Sequence, residues 1–141
     1  MIQFQAKIYK DDGAYSVEFP DLPGCFSMGA TLDEAKQMAA EALSLYLEDA
    51  RDPRWEIPVA KSRRGKNYYW IQPRFDIAIA ILIRHARIKH GLTQAKLAKQ
   101  VGITIQQLQK LETPGKSNPT VKTLAAISQA LDENLKIELA S

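Results

Sequence analysis

Cysteine is almost missing from this chain: Cys25 is the single one in 141 residues. It cannot close an internal disulfide, and no CxxC or neighbouring histidine offers it a zinc site. A small buried apolar role suits it better than a reactive one, and a reducing, cytoplasmic setting is the simplest expectation. Histidine is also scarce, with only His85 and His90 present. Long apolar runs are lacking: the stretch Ile77 to Ile83 is far too short to span a bilayer, so no membrane contact is expected. The first ten residues, MIQFQAKIYK, have no basic segment followed by an apolar one, so no signal peptide is expected. What is present is ordinary for a soluble globular protein, with 45% hydrophobic and 25% charged residues. Collagen-like and disordered classes are thereby excluded. No cofactor-binding or metal-binding motif is found.

The net charge of +3 conceals a division. Residues 1–56 carry 5 basic and 11 acidic side chains, residues 57–73 four basic and no acidic ones, and residues 74–141 ten basic and five acidic. Within 74–122 there are nine basic residues against two acidic. An acidic half joined to a basic half implies partners of opposite sign. The basic half suits a polyanion and the acidic half a basic protein.

Periodicity divides the chain in the same place. Ile2, Phe4, Ala6 and Ile8 alternate with Gln3, Gln5 and Lys7, which predicts a half-buried strand. Asp11, Asp12 and Gly13 supply a turn, and Tyr15, Val17 and Phe19 alternate as a second strand. Pro20 ends it, and Asp21 to Gly24 turn again before a short third strand, Cys25 to Met28. Thr31 then opens a helix with Glu34 three residues on, the capping-box spacing, and Ala35, Met38, Ala39, Ala42, Leu43, Tyr46 and Leu47 form its apolar stripe. A loop rich in proline and cations precedes one more predicted strand, Asn67 to Gln72.

From Phe75 the period becomes helical. One helix carries Ile77, Ala80, Ile81 and Ile88 and ends near Gly91. Thr93 caps a short second helix, Gly102 breaks it, and Thr104 caps a third that runs to Pro114 and Gly115. Thr120 starts a fourth with Leu124, Ile127, Ala130 and Leu131. Leu135, Ile137 and Leu139 alternate again and predict a final strand.

The pair of short helices is the most informative feature. Leu97, Ala98, Val101, Ile103, Leu108 and Leu111 are apolar where two such helices must pack, and Gly102 stands where the turn needs a left-handed residue. The second helix presents Ile105, Gln106, Gln107, Gln109 and Lys110 outward. Glutamine can bond adenine doubly in the major groove, and lysine can reach guanine or phosphate. The segment LTQAKLAKQVGITIQQLQKLE, Leu92 to Glu112, resembles the helix-turn-helix of Cro/phage-repressor (Xre) proteins. That resemblance covers most of 75–131 and implies DNA-binding roles. Gln94 would touch a phosphate or brace the reading helix, and Thr104 would touch a phosphate. Ile105 and Gln106 would face base edges, with Lys110 farther along the same face. Gln107 has a second reading, since with Thr104 it completes a capping box and can serve its own backbone. The loop Thr113-Pro114-Gly115 is one residue longer than in that family, which bears on the reach of Lys116.

The front half resembles HicB antitoxins. The residues that carry this are Gly13 to Tyr15, Phe19-Pro20-Asp21-Leu22-Pro23-Gly24-Cys25, Gly29-Ala30-Thr31-Leu32-Asp33-Glu34-Ala35, and Glu41 to Leu43 with Tyr46 and Leu47. The resemblance implies an α+β chain: a β-β-β-α-β partial ribonuclease H-like domain, then an all-α helix-turn-helix domain with a short C-terminal strand. The expected division is 1–60 for the toxin-neutralising domain, 61–74 for linker and returning strand, and 75–141 for DNA binding. It implies a small RNA-cleaving HicA-like toxin, operator double-stranded DNA and a homodimer or higher oligomer as partners, with no enzymatic activity. Two other classes are weighed beside it: a ligand-sensing repressor, and a metal-dependent nuclease. The nuclease reading needs carboxylates to converge on metal ions, and Glu18, Asp21, Glu41 and Glu48 are its candidates. His85 and His90 are expected at the surface.

Overall fold

The computed structural model describes residues 2–140. Its period-two segments become strands β1 (Phe4–Asp11), β2 (Ala14–Glu18), β3 (Phe26–Gly29) and β4 (Tyr68–Ile71). They form one antiparallel sheet in the order β3-β2-β1-β4. Asp12 and Gly13, both at positive φ, make the two-residue turn that joins β1 to β2. The last strand returns to the free side of β1, pairing Phe4 with Ile71 and Lys7 with Tyr68. Helix α1 (Leu32–Leu47) crosses the sheet. Thr31 caps it by accepting from the Glu34 amide, while the Glu34 carboxylate accepts from the Ala30 amide at 2.8 Å.

The register explains the first core. Phe4, Ala6 and Ile8 of β1 and Val17 of β2 share a face and are buried against Ala35, Ala39, Leu43 and Leu47 of α1. Each such leucine or isoleucine contributes about 2 kcal/mol by leaving water. Cys25 lies in this core as an apolar filler, and burial pushes its thiol up to about 11. The opposite parity puts Phe26 and Met28 of the edge strand in solvent.

Four helices follow: α2 (Phe75–Lys89), α3 (Gln94–Val101), α4 (Ile105–Leu111) and α5 (Val121–Ala130). Leu97, Ala98, Leu108, Ile127 and Leu131 make a second core. Helix α2 belongs to both: Ile77 and Ile81 pack with the sheet core, and Ile83 and Ile79 with the helical one. Side chains tie the halves further. Arg84 Nη1 donates to the Ala50 carbonyl at 2.7 Å, and Arg51 Nε donates to the Pro114 carbonyl at 2.9 Å.

One expectation is corrected. Residues 135–139 do not form a strand; among the described residues, 133–140 belong to no helix or strand. A strand needs a paired edge, and the helices around this tail present none.

Candidate nucleic-acid interface and the acidic front

Helices α3 and α4 are separated by Gly102, Ile103 and Thr104. Gly102 sits at φ 84, closing α3, and Thr104 opens α4 at once. Leu97 and Ala98 of α3 meet Leu108 of α4 in the buried interior, so α4 must turn its other side to water. That side holds Ile105, Gln106, Gln109 and Lys110, all exposed. Ile105 leaves 41% of its surface in solvent, a cost no core contact recovers.

The other candidates are placed differently. Thr104 accepts from the Gln107 amide at 3.0 Å, and the Gln107 side-chain oxygen accepts from the Thr104 amide at 2.9 Å. Both are exposed at the start of α4, with these atoms already committed to the helix end. Gln94 is half buried and turns inward, where its amide donates to Glu112 at 3.3 Å. Lys110 lines a cleft of about 320 Å³ with Lys116, Asn118 and Thr120. The longer loop therefore still brings Lys116 beside α4.

Glu112 holds this arrangement and was not among the sequence candidates. It is buried at the end of α4 and accepts both prongs of the Arg87 guanidinium, at 2.8 and 2.9 Å. Arg87 also donates to the Leu92 carbonyl at 2.9 Å. One ion pair thus fastens α2, the start of α3 and the end of α4. A signal existed: Glu112 is one of two acids amid nine cations in residues 74–122.

In the front half, the proposed carboxylates are dispersed. Asp21 accepts from Arg63 at 2.7 and 3.0 Å and from the Lys61 amide at 2.9 Å. Glu48 faces Arg74 and Arg51, and Glu41 is exposed on α1. Among the described residues, no three His, Cys, Asp or Glu side chains gather as a metal site. His85 and His90 are exposed, and His90 meets Glu133 at 2.9 Å. Gln5 completes the anchoring of the cationic loop by accepting from the Arg63 amide at 2.6 Å and donating to its carbonyl at 3.2 Å.

The Arg63 guanidinium holds the Asp21 carboxyl below the usual carboxylate range, and the Lys61 amide adds to this against the opposing effect of burial. A lowered folded-state pKa contributes stability above the unfolded value, and that stability is lost as pH falls through the folded one. Asp21→Asn should therefore flatten the acid end of the stability profile. Urea midpoints measured from pH 6 to pH 2 check this; parallel profiles for variant and wild type would contradict the assignment.

Residues 4–118 match the family model for the HicB-like antitoxin of bacterial toxin-antitoxin systems. The chain belongs to that family. Antitoxin HicB 2 of Photorhabdus laumondii is 28% identical to this chain over 140 residues, covering 96% of this chain and 95% of the relative. Antitoxin HicB of Escherichia coli K12 is 28% identical over 104 residues, covering 71% of this chain and 72% of its own. An uncharacterized 14.9 kDa protein of Haemophilus phage HP1 is 45% identical over 101 residues, with 72% and 71% covered. No helix among the described residues is long and apolar enough to cross a membrane.

Proposed function

We propose that the chain is the antitoxin of a HicA-HicB pair, with one working unit around each core. The sheet unit, residues 1–60 with β4, covers a small RNA-cleaving HicA-like toxin. A protein that cuts RNA is expected to be cationic near its site, and an acidic surface is a suitable cover for it. The helical unit, residues 75–141, acts as a helix-turn-helix on operator DNA, with α4 in the major groove, and represses the operon that encodes the pair. The chain acts as a homodimer or higher oligomer, because one module this small makes too few contacts for specific affinity and two-fold operators need paired reading helices.

The observation that carries the DNA reading is the exposed row of Ile105, Gln106 and Lys110 on a helix anchored by Leu108 and Glu112. Ile105 suits a thymine methyl, Gln106 an adenine edge, and Lys110 with Lys116 the flanking phosphates. Gln106→Ala should weaken operator binding by about 1–3 kcal/mol and leave binding to random duplex nearly unchanged. Lys110→Ala should weaken both and lower the salt slope by about one. Titrations by fluorescence anisotropy at several salt concentrations separate the two. Operator affinity equal to wild type in both variants would reject the assigned face. The toxin reading is tested by co-expression of the full chain with the neighbouring toxin, where growth should be rescued and the two proteins should co-purify; persistent growth arrest would reject it.

A further inference from the structure

We propose that residues 135–139 are an assembly segment, pairing antiparallel about Ile137 with the same segment of a second copy and laying their apolar edge over the groove between α2 and α5. The proposal rests on the dimer reading given above and supplies its contact surface.

The tail leaves the helices at Asp132, whose φ of 52 turns the chain away from α5. Beyond it Leu135, Ile137 and Leu139 are 41%, 63% and 98% exposed. Lys136 and Glu138 meet each other at 3.2 Å, so the two charges lie on one side of an extended segment and the three apolar side chains on the other. This is an amphipathic strand without a partner. Beside it is a groove of about 360 Å³ lined by Leu82, Ile83, Ala86, Leu124, Ile127 and Leu131, with Leu135 at its rim.

The order Leu-Lys-Ile-Glu-Leu selects the partner. An antiparallel pair centred on Ile137 sets Leu135 opposite Leu139 and Lys136 opposite Glu138, each twice. Every apolar residue meets an apolar one and every charge its opposite. Centring on Lys136 would set lysine against lysine, and a parallel in-register pair would oppose like charges at both positions, which disfavours those registers. A two-fold axis through Ile137 is the self-complementary arrangement of a symmetric dimer. A lone two-stranded ribbon is marginal in water, so its apolar face needs the two grooves, one from each copy, beneath it.

Light scattering on the eluted full chain tests this. The wild type should run as two chains, and a chain ending at Asp132 as one. Lys136→Glu and Glu138→Lys should each weaken the dimer about tenfold, and the Lys136→Glu/Glu138→Lys double variant should restore it to within about threefold. Ile137→Cys should give a disulfide-linked dimer on mild oxidation, whereas Leu135→Cys, four positions from its counterpart, should not. A wild type that is monomeric throughout would overturn the dimer reading and this pairing with it. A dimer that survives loss of residues 133–141 would overturn the pairing alone. Failure of the charge-swapped double variant to recover would reject the register.

Discussion

Glu112→Ala is expected to cost about 3–5 kcal/mol of stability, the range for removing one partner of a buried ion pair. The reason is what remains. Arg87 keeps a charge whose side chain is 13% exposed, with only the Leu92 carbonyl left from its former partners. Gln94 loses its acceptor as well. The end of α4 would then be held to α2 and α3 by apolar contacts alone. Glu112→Gln keeps the shape and part of the hydrogen bonding, so its loss should fall between wild type and alanine. Urea unfolding followed by circular dichroism measures both. An alanine variant within about 1 kcal/mol of wild type would show that the ion pair is not a clamp. On the proposed DNA reading, operator affinity should fall with the same variant, although Glu112 is buried.

Gly29→Ala should be nearly as damaging, at about 3 kcal/mol, for the opposite reason: too much matter in place of too little charge. A methyl group there would overlap the Ala35 amide nitrogen and lie 2.8 Å from the Ala35 Cα and 2.9 Å from the Glu34 carbonyl carbon. These are backbone atoms in the first turn of α1, and α1 cannot retreat. Ala35 and Ala39 are completely buried against the sheet. The strand and helix approach this closely because both contact residues are small. A shift in urea midpoint with unchanged slope would record the loss; a midpoint equal to wild type would mean that α1 can slide.

Much of the fold was legible because each half obeys one period. Alternation at Ile2 to Ile8 and at Tyr15 to Phe19 marked β1 and β2, and Thr31 with Glu34 marked the start of α1 within a residue. The strand Tyr68–Ile71 lay inside the predicted 67–72. Residues 135–139 misled for a physical reason: alternation reports that an extended segment could bury one side, not that the same chain supplies an edge. The loop at 61–66 was unreadable in another way. Its cations follow no period, yet Arg63 is committed to Asp21 and Gln5, contacts 42 and 58 residues away in sequence. Among the site residues, the exposed face of α4 followed from spacing. The inward turn of Gln94 matches one of its two readings from the resemblance, bracing α4, but no local period links it to its acceptor, Glu112, 18 positions later.

A helix bedded in two interiors has a mechanical meaning. With Ile77 and Ile81 in one and Ile83 in the other, α2 works as an axle rather than a tether. The halves cannot swing freely like beads on a string, and heating should melt them in one step, since neither keeps its interior once the axle is withdrawn. Under the proposed function, a toxin held at the sheet would thereby be geared to the orientation of α4 at the other end.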